Sequence, residues 1–185
     1  MDITFDNILD VGGTLEELVR TWRNSSTVNQ FMITNHHISK KEHHQWLTNL
    51  KTKKNAKVWI IKYRDTPIGL AYLTHIDYEK KSTGWGFYIA DESVRGKGVG
   101  STTLCRLMEY VFETLRFQTM HTQVLENNTI AMHLYEKFGF TKDETKTESL
   151  ERNGVRLGIF YMVISKETWM SIHNTLKPTD SGSLL

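Results

Sequence analysis

Seven consecutive residues between a predicted strand and a predicted helix combine three glycines with two cations. Glycine lacks a Cβ atom, so successive backbone N–H groups can turn toward one anion, and the following helix adds the positive end of its dipole. The arginine and the lysine supply full charges for phosphate oxygens. The sequence therefore predicts a phosphate-binding turn formed by Arg95, Gly96, Lys97, Gly98, Val99, Gly100 and Ser101.

Two common phosphate-binding motifs do not fit this turn. A Walker loop needs Ser or Thr after the lysine, where this chain has Gly98, and glycine six residues before the lysine, where it has Asp91. The dinucleotide fingerprint needs a third glycine, where this chain has Ser101. A glycine-rich turn without a ligand is the competing interpretation, and the density of glycines and cations makes it the weaker one.

A second segment makes the assignment specific. It follows a predicted strand, forms a short predicted helix and reads ENNTIAMHLYEKFGF from Glu126 to Phe140. Together with VRGKGVGS at the glycine-rich turn, it resembles the acyl-CoA-binding signatures of the GNAT superfamily of N-acetyltransferases. The resemblance spans Ile3 to Trp169. It implies an acetyl-CoA-dependent enzyme that transfers the acetyl group directly to a primary amine.

The resemblance also assigns the cofactor side of the site. The backbone of Tyr88, Ile89 and Ala90 would hold the pantetheine arm in a gap between the fourth and fifth strands, and the glycine-rich turn would hold the pyrophosphate. Asn128 matches a position that contacts the cofactor. Tyr135 matches the usual general acid, which would protonate the departing thiolate.

The residues themselves leave one alternative for this tyrosine. Acetyl transfer develops negative charge on an oxygen and expels a thiolate, so a phenol near the sulfur suits the reaction. Tyr135 also shares a helical stripe with Ala131, Leu134 and Phe138, and a core role is the competing interpretation. Cys105 has no evident activating partner and is predicted to be a buried apolar residue, so no covalent acyl-enzyme is expected.

The acceptor side shows a narrower resemblance, to the acetyltransferases of the pseudaminic acid pathway, which acetylate the 4-amino group of a UDP-linked amino sugar. The resemblance is carried by residues 22–25, 31–32, 38–46, 124–128 and 135–137. It implies that Arg23 meets the nucleotide diphosphate and that Glu126 is a candidate general base. Met32, His43 and Trp46 would line the sugar-nucleotide pocket, and the Trp46 ring offers a face for uracil.

Each of these acceptor residues has a structural alternative. His43 and Trp46 share an apolar helical stripe with Leu47 and Leu50, so both rings could pack in the core. Glu126 could serve only to orient the end of a strand.

The superfamily also acetylates polyamines, antibiotics and protein N-termini, so these acceptors are alternatives. The segment from Leu150 to Arg156 also resembles ribosomal-protein acetyltransferases. A polyamine enzyme should present an acidic substrate face, whereas the first half of this chain is basic and aromatic, which favours an anionic acceptor.

A non-catalytic acyl-CoA-binding module is the alternative from a different class, and the intact turn together with Tyr135 weighs against it. The superfamily resemblance is compatible with a homodimer.

Composition excludes several other functions. The chain has 185 residues, and 23 Lys and Arg against 21 Asp and Glu give a net charge of +2, which argues against a nucleic-acid-binding protein or a polybasic membrane anchor. The only cysteine, Cys105, favours the reducing cytoplasm. The paired histidines at 36–37 and 43–44 lack a Cys-rich or H-E-x-x-H partner set, so no metal site is predicted.

The elements that must position these residues follow from periodicity. The predicted order β-α-α-β-β-β-α-β-α-β-β indicates a mixed α/β domain over residues 1–170, followed by a tail at 171–185. Capping boxes at Thr14–Glu17 and Ser39–Glu42 predict two helix starts, and Asn153-Gly154 predicts a hairpin turn. The resemblance implies a GNAT fold, with about four helices flanking one mostly antiparallel sheet that splays between strands 4 and 5.

Overall fold

The computed structural model describes residues 2–176. Their strands are β1 (Ile3–Asn7), β2 (Lys57–Tyr63), β3 (Thr66–Asp77), β4 (Ser82–Ile89), β5 (Thr119–Leu125), β6 (Thr141–Lys142), β7 (Glu148–Arg152) and β8 (Val155–Ser165). Their helices are α1 (Gly13–Asn24), α2 (Ser26–Asn29), α3 (Lys40–Thr52), α4 (Val99–Glu109), α5 (Thr129–Lys137) and α6 (Lys166–Leu176). The predicted order is confirmed, with α2 and α6 added and with the first arm of the last hairpin divided into β6 and β7.

One of the two predicted capping boxes is confirmed. The side chain of Ser39 accepts a hydrogen bond from the Glu42 backbone N–H (3.2 Å) at the start of α3. The box at Thr14 is wrong, because α1 begins at Gly13 and Thr14 already lies inside the helix. Its expected partner, Glu17, instead forms an ion pair with Arg20 (2.6 Å).

The sheet opens at one place, and this opening defines the site. The strand order is β1-β2-β3-β4-β5-β8-β6, with β7 also paired to β8, and β4–β5 is the parallel pair. That pair extends from Ser82–Thr119 to Gly84–His121, beyond which β4 has no strand partner on this side in the described part of the chain. Just past the last paired residue, the Thr122 hydroxyl donates to the Trp85 carbonyl oxygen (2.8 Å). The predicted splay between strands 4 and 5 is therefore confirmed.

The two faces of the sheet carry separate apolar cores. One face packs against α4 through residues such as Ile61 and Leu104, and the other packs against α1 and α3 through residues such as Ile60 and Leu47. Ile60 and Ile61 are both fully buried, so β2 is covered on both faces. Burial of each such side chain stabilises the fold by about 1.5–3 kcal/mol. Packing on both faces therefore fixes the sheet that carries β4 and β5.

The C-terminal part of the domain extends further than predicted. Trp169 in α6 is fully buried and stacks on Phe112 with ring centroids 6.2 Å apart. The predicted tail start at residue 171 therefore falls inside a helix that continues to Leu176, and residues 177–185 of that tail lie outside the described residues. No helix of residues 2–176 is long and apolar enough to cross a bilayer.

Candidate active site

A cavity of about 1090 Å³ lies where β4 and β5 diverge. One wall is formed by β4, the glycine-rich turn, β5 and α5, and the other by residues 19–53 together with β3. The volume is at the upper end of the range for small-molecule sites, so both a cofactor arm and an acceptor can be accommodated.

The glycine-rich turn has the backbone geometry that an anion site requires. Gly96 (φ +73°) and Gly98 (φ +78°) adopt left-handed conformations that residues with a Cβ rarely adopt. Gly98 is the N-cap of α4 and has no side chain to accept from the first helical N–H groups, so these donors remain available at the cavity. A Cβ atom on Gly96 would meet nothing within 4 Å, and this open space lets a ligand approach the backbone. The turn fits a pyrophosphate.

Most of the residues assigned to the cofactor line this cavity. Six of the seven turn residues do so, while Lys97 is exposed and lies outside the lining. Tyr88 and Ile89 line the gap, but Ala90 does not, since its N–H donates to the Ile68 carbonyl oxygen (2.8 Å). Asn128 lines the cavity and also caps α5, where its side chain accepts from the Ala131 N–H (3.3 Å).

Tyr135 has features of both a core residue and a general acid. Its side chain is only 7% exposed and contacts the Trp85 ring edge-on, with centroids 5.0 Å apart, as a core residue would. It also lines the cavity, as a general acid must. Burial raises the pKa of the phenol well above its ordinary value, so the hydroxyl keeps its proton at neutral pH.

Arg23 of α1 lies on the wall opposite the glycine-rich turn, and one of its guanidinium nitrogens has no hydrogen-bond partner among the described residues. Its Nη2 donates to the carbonyl oxygen of Thr34 and to the Thr34 hydroxyl (3.1 Å for the latter). Its Nη1 is buried and has no hydrogen-bond partner within the described structure. Burial lowers the pKa of the guanidinium, and the Tyr88 and Tyr72 hydroxyls and the Glu42 carboxylate partly offset that shift. An arginine keeps its proton in such a setting, so the cavity wall carries a positive charge.

Tyr72 is one of the cavity residues that sequence reasoning missed. It lies opposite Gly86 across the β3–β4 ladder, and a Cβ atom on Gly86 would overlap the Tyr72 ring. Burial raises its pKa and Arg23 counteracts that shift, which places the phenol beside the guanidinium. The available signal was the alternation of Leu70, Tyr72 and Thr74 along β3, all three of which line the cavity, but alternation does not show which face meets a cavity.

The remaining acceptor residues divide into two groups. Met32, His43 and Trp46 line the cavity. His43 is nevertheless satisfied structurally, because its Nε2 is 2.8 Å from the Glu16 carbonyl oxygen and its ring lies 5.3 Å from that of Trp46. Glu126 is exposed and outside the cavity lining, with its carboxylate against Gly158. Glu126 does not line the cavity, and its assignment as the general base stays a prediction.

The burial of His43 has a consequence for stability. Burial lowers the pKa of His43 below its ordinary 6.5, so the unfolded chain binds more protons than the folded chain as the pH falls below that value. The free energy of unfolding should therefore decrease from pH 7.5 to pH 5.5. His43→Gln should weaken this decrease, since only the wild type has a histidine to protonate there. Urea unfolding of both proteins at each pH measures it, and identical slopes would contradict the burial argument.

Two further expectations concern metals and the thiol. Among residues 2–176, no group of three or more His, Cys, Asp and Glu side chains is arranged to hold a metal ion. Cys105 is fully buried in α4 and does not line the cavity, as the apolar interpretation predicted.

Comparison with known proteins agrees with this site. The Acetyltransferase (GNAT) domain model matches residues 13–141. The chain is 30% identical to Acetyltransferase PseH of Campylobacter jejuni over 145 residues, which cover 78% of this chain and 88% of that protein. It is 31% identical to the spermidine N(1)-acetyltransferase of Vibrio cholerae over 104 residues, which cover 56% and 60%.

Solved structures show the same fold at lower identity. Vibrio cholerae spermidine N-acetyltransferase in complex with CoA and spermine superposes with a TM-score of 0.81 at 20% identity, over 91% of this chain and 98% of that one. Campylobacter jejuni PseH in complex with acetyl coenzyme A gives 0.65 at 21% identity, over 89% and 99%. The chain belongs to the GNAT acetyltransferase family.

The chain is therefore an N-acetyltransferase, and acetyl-CoA is its co-substrate. When bound, acetyl-CoA supplies an activated acetyl thioester. The first N–H groups of α4 and the turn from Arg95 to Ser101 would hold its pyrophosphate, and the edge of β4 beyond Gly84 would hold its arm.

Proposed function

We propose that this enzyme acetylates the amino group of an anionic acceptor, and that the acceptor is a UDP-linked 4-amino sugar. The observation that carries the proposal is the buried Nη1 of Arg23, an unpaired cationic donor on the acceptor wall. A buried cationic donor without a hydrogen-bond partner is costly, and a substrate phosphate would supply that partner.

The other charges of the cavity support the same acceptor. Among the described residues that line it, the carboxylates are Glu42 and Glu92, and both are already engaged. Glu42 is hydrogen bonded to His36 (2.6 Å), and Glu92 forms an ion pair with Arg95 (2.7 Å). A polyamine needs free carboxylates for its several ammonium groups. The lining therefore favours an anion over a polycation.

The aromatic part of the acceptor wall suits a nucleobase. Trp46 is partly exposed at the cavity beside His43, and Met32 lies on the same wall. A base can stack on the Trp46 face, while the Met32 side chain can adapt to its edge. In the proposed complex the uridine would occupy this wall, and its diphosphate would reach Arg23.

Tyr135 is the proposed general acid. The reaction forms an N–C bond from the free amine to the acetyl carbon and breaks the C–S bond, so the departing thiolate needs a proton. The Tyr135 phenol holds its proton because burial raises its pKa, and it faces the cavity between the two walls. The amine must lose its own proton to water or to a cavity base before or during attack, and a proton returned through water restores the Tyr135 phenol.

The acceptor is tested by measuring CoA release from acetyl-CoA with a panel of amines. The panel contains a UDP-linked 4-amino sugar, spermidine, spermine, peptides with free N-termini and an amine-free control. We expect turnover with the amino sugar at least about tenfold above that with the other amines, as expected for one lost charge-assisted contact. Turnover confined to spermidine or spermine would instead support the spermidine acetyltransferase relatives, and turnover confined to peptides would support N-terminal acetylation. Acetyl-CoA binding without turnover of any amine would favour a non-catalytic binding module.

A further inference from the structure

A second arginine, distant in the chain, holds the acceptor wall in place. Arg152, at the end of β7, donates from Nη1 to the Gln30 carbonyl oxygen (2.7 Å). Its Nη2 donates to the carbonyl oxygens of Met32 (2.6 Å) and Ile33 (3.3 Å). One guanidinium therefore binds three backbone carbonyl oxygens of residues 30–33, about 120 residues earlier in the sequence.

The segment held in this way is part of the site. All five residues from Gln30 to Thr34 line the cavity, and none of them belongs to a helix or a strand. The far end of the segment is fixed from α1, because Arg23 binds Thr34 and the Asn24 side chain pairs with both backbone groups of Ile38 (2.8 and 2.9 Å). In contrast, among the described residues the carbonyl oxygens of Gln30, Met32 and Ile33 accept side-chain hydrogen bonds only from Arg152.

Arginine is the side chain that suits this task. Its planar fork presents several N–H groups in fixed directions, whereas a lysine ammonium is a compact point charge on a flexible stem. Arg152 forms no ion pair with a carboxylate of the described residues, and its Nε is buried without a partner. Its charge also lies close enough to lower the pKa of Arg23. The Arg152 guanidinium thus binds backbone carbonyl oxygens and lies near a second cation, Arg23.

We propose that Arg152 is a positioning residue that determines acceptor binding by fixing the backbone of residues 30–34 at the cavity wall. The inference rests on the proposed assignment of this wall to the acceptor, but not on which amine is bound. Loss of the Arg152 guanidinium releases three carbonyl oxygens and lets the segment move, while the glycine-rich turn and α5 on the opposite wall keep their contacts.

The test compares Arg152→Gln with a matched control, Arg156→Gln, in the intact chain. Arg156 lies in the same hairpin and donates only to Ser149 of that hairpin (2.9 Å) among the hydrogen bonds of the described residues. We expect Arg152→Gln to raise the acceptor KM about tenfold or more, with kcat changed less than about threefold, because three hydrogen bonds are lost. Acetyl-CoA affinity should be unchanged, and Arg156→Gln should resemble the wild type. Arg152→Lys should give an intermediate KM.

Hydrogen exchange of residues 29–36 gives a readout that needs no acceptor. Exchange should accelerate in Arg152→Gln and not in Arg156→Gln, and Arg152→Lys serves if the glutamine variant fails to fold. An acceptor KM within about twofold of the wild type, or unchanged exchange in this segment, would overturn the proposal. If the UDP-linked sugar is not turned over but another amine is, the same comparison is made with that amine, so the two proposals fail separately. If no amine is turned over, the exchange result decides.

Discussion

Tyr135→Phe is expected to lower kcat by about 100- to 10,000-fold, the range that a positioned general acid contributes. The variant removes one oxygen and keeps the ring, so the edge-on contact with Trp85 and the packing against Phe140 remain. The folded state and the affinity for acetyl-CoA should therefore be close to those of the wild type. Steady-state kinetics, together with acetyl-CoA titration, measures both quantities.

The control for this substitution is Tyr110→Phe. Tyr110 has the same 7% exposure, packs edge-on against Trp59 and does not line the cavity, so loss of its hydroxyl should leave kcat unchanged. A Tyr135→Phe variant that folds, binds acetyl-CoA and keeps wild-type kcat would show that Tyr135 is only a core residue. The thiolate would then take its proton from water or from another group.

Arg23→Gln is expected to raise the KM for a phosphate-bearing acceptor by at least about 30-fold. Truncating one partner of a buried, hydrogen-bonded charge pair costs about 2–5 kcal/mol, and 1.4 kcal/mol corresponds to tenfold. The effect should depend on the acceptor. Any amine without a phosphate that is turned over slowly should lose far less, because it never engaged the guanidinium. Kinetics with both kinds of acceptor measure the difference.

Arg116→Gln is the charge-matched control for Arg23→Gln. Arg116 is exposed and lies outside the cavity lining, so its removal changes the net charge equally without touching the site. The wild-type acceptor KM is expected for it. An equal rise in KM for phosphate-bearing and phosphate-free acceptors in Arg23→Gln would contradict anion recognition. It would assign Arg23 to holding Thr34 alone.

The cofactor side of the site was readable from sequence because its determinants are local. The glycine-rich turn contains its own conformational signal, and the helix that follows it within the same short segment supplies the N–H donors. Tyr135 could be chosen as a candidate for the same reason, since its neighbours in the chain carry a recognisable motif; it lines the cavity, and its role as general acid stays a prediction. The element order could be predicted because strand and helix periods change clearly at their boundaries.

The acceptor side depends on contacts between distant segments, and sequence shows these poorly. Tyr72 faces the cavity because Gly86 lies opposite it, a pairing set by strand register. Arg152 reaches residues about 120 positions away, which no local pattern indicates. Glu126 follows a strand that was predicted correctly, yet its side chain lies against Gly158 outside the cavity. The Thr14 capping box failed because α1 begins at Gly13, which places Thr14 inside the helix.

The division of the cavity between two walls also bears on how this family changes substrate. Residues 86–101 and 122–135 contribute the wall that we assign to acetyl-CoA, whereas residues 19–53 contribute most of the other wall. Because the two walls come from separate stretches of chain, mutations can alter the acceptor wall during evolution without disturbing the thioester site. Substitutions within residues 19–53 are therefore the changes expected to alter amine specificity while acetyl-CoA binding is kept.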